Sequence, residues 1–201
     1  MFNILPSSMN QELIKKRRQI DVFWGELSAC DHCLQIYEND DVFLDALEGF
    51  VAAGIRQGDA IILIATPVHL AGLEARLAAT GFDVVAAAKR NQYFALDAQT
   101  TLERFMVNGW PDEALFTQLV DGLLLQARGE HKKVRAFGEM VALMWAQGQC
   151  GATVQLEHLW ARLCEKESFS LFCAYPKTGF TEHAVDALEQ VCAAHSRVYA
   201  V

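Results

Sequence analysis

Apolar positions along the chain switch repeatedly between a continuous or two-residue pattern and a helical one, so strands and helices alternate. Cys33 to Tyr37 reads as a short strand, and Asn39 or Asp40 then caps a helix with Phe43, Leu47, Phe50 and Gly54 on its inner face, ended by Gly58. Ala60 to Ala65 is an unbroken apolar run, the pattern of a strand covered on both sides in a parallel sheet. Thr66-Pro67 opens a second helix, with Leu70, Leu73 and Leu77 inward and Gly81 as its stop. Phe82–Val85 and Gln92–Leu96 are strand candidates, and Thr100–Val107 reads as a helix broken by Asn108-Gly109. Pro111-Asp112-Glu113 starts a helix running to Gly129, with proline at its first position and acids favoured by the macrodipole. Val134–Phe137 is a strand, Glu139–Gln147 a helix, Val154–Glu165 an amphipathic helix, and Phe169–Ala174 a strand ending at Pro176. Thr181 caps a last helix through His195, and Arg197–Val201 is a last strand.

This alternation predicts an α/β fold: a three-layer, mostly parallel β-sheet flanked by helices. Residues 1–28 read as an N-terminal helical or flexible segment and 29–201 as one α/β domain. With 52% hydrophobic and 21% charged residues the chain has the composition of a folded domain rather than a disordered one. The net charge of −8 argues against direct nucleic-acid contact and against docking on an anionic membrane. Met1–Asn10 lacks the basic and apolar regions of a secretory leader, and no apolar run is long enough to span a bilayer, so a cytoplasmic location is expected. The basic run Lys15–Arg18 reads as a solvated face. The six cysteines sit largely in apolar stretches, as small core residues of a reduced protein do. Cys30 and Cys33 form a C-x-x-C pair without the second pair that a zinc site of this type needs, so no metal or cofactor is expected.

The junction between the Ala60–Ala65 strand and its helix reads Ala65-Thr66-Pro67-Val68-His69-Leu70-Ala71-Gly72. It has no Gly-Lys-Ser/Thr, and Pro67 removes a backbone donor, so the phosphate cradle of a RecA-like ATPase is missing. Three stretches then carry a resemblance: Asp31-His32-Cys33-Leu34-Gln35-Ile36-Tyr37-Glu38, Val134 through Trp145, and Leu156-Glu157-His158-Leu159-Trp160 followed by Phe169 through Pro176. Leu96-Asp97-Ala98 and Met106 through Pro111 add to it. Together they resemble the MEDS family, the methanogen/methylotroph DcmR-type sensory domain, over about Asp31 to Phe180. The resemblance implies a RecA-like fold without a Walker A loop, and a signal-input role proposed for hydrocarbon derivatives. It also implies a histidine kinase or transcriptional regulator as output. This sequence carries neither a kinase signature nor a basic helix-turn-helix, which leaves a stand-alone regulator or a fragment.

The ligand-binding candidates are His32, Tyr37, Glu38, Asp97, Glu139, Trp145 and Tyr175. His32 and Tyr37 border the first strand, and either meet a ligand at the carboxyl rim of the sheet or make fixed hydrogen bonds seating that strand. Glu139 lies just past a strand and either meets a polar ligand group or pairs with Arg135. Asp97 ends a strand and either caps the next helix or binds ligand. Trp145, with Trp160, reads as core or as the lining of an apolar pocket, and Tyr175-Pro176 shapes a rim loop. His69, on a helix start, is expected neutral and exposed. No nucleophile-elbow or Ser/His/Asp spacing is present, so no catalytic residue is assigned. The expectation is a non-catalytic sensory domain binding a small molecule, compatible with a homodimer. The rival readings are an atypical nucleotide-binding ATPase and an interaction scaffold without ligand.

Overall fold

Six strands lie in one sheet in the order β3-β2-β6-β7-β1-β8, and every pairing in it is parallel. The structure is a computed structural model that describes residues 23–129, 133–179 and 185–200. Its elements are β1 (His32–Tyr37), α1 (Asp40–Gln57), β2 (Ala60–Ala65), α2 (Pro67–Ala79), α3 (Val84–Lys89), β3 (Tyr93–Asp97) and α4 (Ala98–Glu103). The two-residue strands β4 (Met106–Val107) and β5 (Trp110–Pro111) form a separate antiparallel hairpin. Then follow α5 (Glu113–Arg128), β6 (Val134–Gly138), α6 (Met140–Ala146), α7 (Cys150–Glu167), β7 (Ser170–Pro176), a 3-10 turn (Lys177–Gly179), α8 (Val185–Ala193) and β8 (Arg197–Ala200).

After β1 and β2 the chain moves toward the β3 edge; after β3, β6 and β7 it moves toward the β8 edge. Right-handed crossovers in opposite directions must use opposite faces. Accordingly α1, α2 and α3 cover one face, where Phe43, Leu47, Leu73 and Ala87 meet Cys33, Ile61, Leu63 and Phe172. Helices α4 to α8 cover the other, where Leu102, Phe116, Trp145, Trp160 and Val191 meet Leu34, Ile62, Ile64, Leu171 and Cys173. All six residues of β2 are buried, as a strand with both faces covered requires. The three-layer parallel architecture expected from the sequence is therefore present.

The caps follow their chemistry. Asn39 accepts the Val42 N–H at the start of α1, and Gly58 ends that helix at φ 80°. Thr66 caps α2 with Pro67 in its first turn. Three local expectations are corrected. Phe82–Val85 is not a strand: Asp83 accepts the Ala86 N–H and starts α3, because one cap followed by alanines outweighs two valines. The helix expected over Thr100–Val107 covers only Ala98–Glu103, since the Asn108-Gly109 turn, with both residues at positive φ, draws Met106–Val107 into the hairpin. Pro111 belongs to β5, and Asp112 caps α5 one residue later. The expected Thr181 cap, and the N-terminal segment up to residue 22, lie outside the described residues. Trp24 and Leu27, just before β1, are buried in the first of the two cores.

One charge is buried in that core. Arg135, on β6, is 2% exposed; its Nε donates to Asp59 Oδ2 at 2.8 Å, Nη1 to the Trp24 carbonyl at 2.7 Å and Nη2 to Gln57 Oε1 at 2.8 Å. It pairs with Asp59, not with Glu139 as the sequence allowed. Gly54 admits this side chain: a Cβ there would lie 2.6 Å from Ile61 Cδ1 and 2.8 Å from Arg135 Cδ. Asp59→Ala leaves the guanidinium with neutral acceptors only, and is expected to lower stability by about 3–5 kcal/mol, read from urea unfolding. A loss below about 1 kcal/mol, the scale of a surface pair, would show that the pair is dispensable.

Candidate functional site

In a parallel sheet, connections that leave adjacent strands in opposite directions open a crevice at the strands' carboxyl ends. Strand order places such points between β2 and β6 and between β7 and β1, with a third at the edge pair β3–β2. At the first, Glu139 follows β6, its N–H donating to the Ile64 carbonyl at 2.8 Å. Its carboxylate is 6% exposed as a residue and accepts the Thr66 N–H at 2.8 Å and His69 Nδ1–H at 2.8 Å. Thr66 Oγ1 lies 3.4 Å away, and Asp40 Oδ1 stands 3.8 Å from His69 Nε2. His69 is thus largely buried and paired rather than neutral and exposed: the carboxylate holds it against the helix start. The hydrogen bond to Glu139 raises its pKa above the usual histidine value, against the opposing effect of burial. Phe43 packs edge-on to His69 and stacks with Tyr37, ring centroids 4.9 Å apart in each pair. Burial, with Glu139 and Asp40 nearby, raises the Tyr37 pKa.

At the second point Tyr37 lies in register with Pro176, and Glu38 and Lys177 pair at 2.8 Å in solvent. Asp97 ends the edge strand β3 and caps α4, accepting the Thr100 N–H at 2.7 Å. Trp145 is buried, its Nε1–H donating to the Gly179 carbonyl at 2.7 Å, and it meets Tyr175 edge-on. Tyr175 is fully buried and points into the core rather than shaping a rim loop. The structure therefore brings Tyr37 and Glu139 together around Phe43 and His69, sets Trp145 against Tyr175, and leaves Asp97, in register with Ala65, as the cap of α4. Two shallow grooves flank α5: one of about 490 Å³ beside Arg104, Leu115 and Leu123, and one of about 280 Å³ beside Thr117 and Arg162. Neither contains a sequence-predicted site residue.

His32 does not face the carboxyl rim. It begins β1, at the opposite end of the sheet, and joins a buried polar group with Glu157 of α7, Cys173 of β7 and His195 after α8. Glu157 Oε2 lies 3.5 Å from His32 Nε2, 3.5 Å from His195 Nε2 and 3.6 Å from Cys173 Sγ. Tyr175 donates its hydroxyl to Glu157 Oε1 at 2.5 Å. His32 Nδ1 lies 3.0 Å from the Ala194 carbonyl and His195 Nδ1 2.6 Å from the Val191 carbonyl. Burial, then the neighbouring His195, push the His32 pKa well below the usual value. Burial and Glu157 push the Cys173 thiol well up, and burial raises Cys33 and Cys164 to about 12. All six cysteines are free.

Sequence reasoning missed Glu157, Cys173, His195 and Thr66. A signal for Glu157 existed: Thr153, Glu157, Trp160 and Cys164 recur at helical spacing, which puts a carboxylate in a buried stripe. No local signal joins Cys173 and His195 to His32.

The sequence profile of the family described as MEDS, MEthanogen/methylotroph, DcmR Sensory domain, matches residues 31–196. No curated protein matches the chain in a sequence search.

A histidine with a raised folded pKa adds stability at pH values below its unfolded pKa of about 6.5, and that increment disappears as pH rises through the folded value. His69→Gln should therefore destabilise the protein more at about pH 6 than at about pH 8.5, measured as the difference in Tm from wild type at each pH. Equal differences at both pH values would refute the ion pair with Glu139.

Proposed function

Since the chain belongs to the MEDS family of sensory domains, we propose that it is a non-catalytic cytoplasmic signal-input module that binds a small, unphosphorylated molecule at the carboxyl rim of its sheet. The observation that carries the reading is the Glu139–His69–Thr66 cluster, a partly buried, charge-paired group at a topological switch point. Among the strand-to-helix junctions at the rim, neither Tyr37-Glu38-Asn39-Asp40 nor Ala65 to Gly72 supplies a glycine loop or its lysine. Asp41 pairs with Arg76, and Glu38, Asp40 and Glu139 stand against Lys177 and His69 at this edge, a balance that does not attract a triphosphate. An uncharged hydrocarbon derivative, with a polar group to compete for Glu139 or His69, fits that chemistry.

A ligand binding at this rim competes with the Glu139–His69 pair. It shifts the equilibrium only as far as it prefers the opened state. The output is a histidine kinase or transcriptional regulator that reads the change. No helix among the described residues is long and apolar enough to cross a membrane. The second reading, an interaction scaffold without ligand, draws on the groove along α5, where Leu115 is exposed, and on Leu125 nearby, which is 78% exposed.

A thermal-shift screen of small hydrocarbon derivatives, run beside equilibrium binding of labelled MgATP, separates the readings. The expected result is a compound that stabilises the wild type by about 2.7 kcal/mol at 100-fold excess over its Kd, an effect lost in Glu139→Gln, with no MgATP bound. Magnesium-dependent ATP binding would replace the proposal with the nucleotide-binding reading. A screen without any Glu139-dependent shift would leave the scaffold.

A further inference from the structure

The buried group at the amino end of the sheet has a donor set that the rim reading does not use. One ligand atom from each of His32, Glu157, Cys173 and His195 lies within 4.8 Å of the others, and all four residues are buried. Both imidazoles place Nδ1 against a main-chain carbonyl. With the ring proton on Nδ1 facing that carbonyl, each ring turns its Nε2 lone pair toward Glu157. Two lone pairs thus face a carboxylate oxygen, each at 3.5 Å. His195 Nε2 makes no hydrogen bond, although its side chain is fully buried. The carboxylate is itself 0% exposed, and its hydrogen-bond donors are the Tyr175 hydroxyl and the Cys173 thiol. Buried acceptors converging without a cation are costly.

We propose that His32, Glu157, Cys173 and His195 bind one divalent transition-metal ion of the zinc class. Two imidazole nitrogens, a thiolate and a carboxylate oxygen form a mixed set suited to tetrahedral Zn²⁺ and unsuited to Mg²⁺ or Ca²⁺. Bond lengths near 2.0–2.3 Å put tetrahedral ligand atoms roughly 3.3–3.8 Å apart. The 3.5 and 3.6 Å separations around Glu157 Oε2 already fall in that range. Binding releases the Cys173 thiol proton to solvent, because the ion's charge reverses the effect of the surrounding carboxylate. Tyr175 is a positioning residue: its hydroxyl fixes Glu157 through the oxygen that is not presented to the histidines. Four protein ligands in a closed, buried set describe a structural or regulatory ion rather than a catalytic one with an open position.

The test uses untagged full-length protein, produced in medium supplemented with Zn²⁺ or Co²⁺ and purified under reductant without chelator. Mass-spectrometric metal analysis should find about one ion per chain. The cobalt form should show a thiolate-to-metal charge-transfer band in the near ultraviolet with visible bands of tetrahedral strength. Cys173→Ser should remove the charge-transfer band, and Tyr175→Phe should weaken metal retention about 10–100-fold in a chelator competition. His195→Gln, whose side chain lies at the end of a helix rather than within the sheet, covers the case in which Cys173→Ser fails to fold: it should empty the site. Protein that retains no Zn²⁺ and shows no cobalt–thiolate band overturns the proposal, as does a band that survives Cys173→Ser. Loss of the rim ligand response in Glu139→Gln leaves the metal content unchanged, so the two sites fail separately.

Discussion

A parallel sheet with helices on both faces shuts water out of its middle, so a charge placed there must be answered by protein groups or by an ion. The fold answers this demand differently on its two faces. Under α1, Arg135 receives an anion, a carbonyl and an amide oxygen, with the Phe50 ring near its guanidinium. Each of the three guanidinium nitrogens has an acceptor, and Gly54 is the helix position that admits the side chain. Under α7, Glu157 meets one hydroxyl, one thiol and two imidazoles whose protons are engaged elsewhere. The first arrangement is complete with protein atoms alone. The second gathers a carboxylate, a thiol and two imidazoles with no lysine or arginine among them, the arrangement on which the metal proposal rests.

The carboxyl rim obeys the same demand by a third route. Glu139 is compensated by His69, and the pair seals the crevice between β2 and β6 where a nucleotide-binding relative of this architecture would place its phosphates. A histidine–carboxylate pair at that place is what a polar ligand group at the rim, as proposed above, would compete with.

Much of the fold was legible because its signals are local. The unbroken apolar run of β2, Asn39 ahead of α1 and Thr66-Pro67 ahead of α2 each state their element within a few residues. Val84-Val85 misled because β-branched residues favour strands while the Asp83 cap favours a helix, and the cap and the alanines behind it prevailed. The site was less legible because strand order is not written locally. Residues 32, 157, 173 and 195 meet only after β1 inserts between β7 and β8. For the same reason His32 had two readings: β1 starts one residue earlier than its apolar run suggests, and His32, its first member, is held there by Ser196 and Ala194 rather than reaching the rim. Arg135 and Glu157 were visible as charges in buried patterns, but the pattern alone does not say what faces them.

Strand β1 links the two ends. His32 and Tyr37 are five steps apart, a distance of about 17 Å in extended chain. A strand hydrogen-bonded on both sides transmits no slack, so β1 acts as a strut between the buried cluster and the rim. Three of the four cluster residues sit on β1, on β7 and just before β8, and the fourth on the helix covering them. An ion there ties the β8 half of the sheet to α7 and fixes the position of Tyr37. Glu139 and His69 belong to the β2–β6 half and are not tied by it. At the rim Phe43 packs between the rings of Tyr37 on β1 and His69 on α2. Coupling between the sites requires that this aromatic contact have two arrangements. Filling the cluster biases the rim only if it favours one of them, whereas a rigid contact would make the cluster a purely structural anchor.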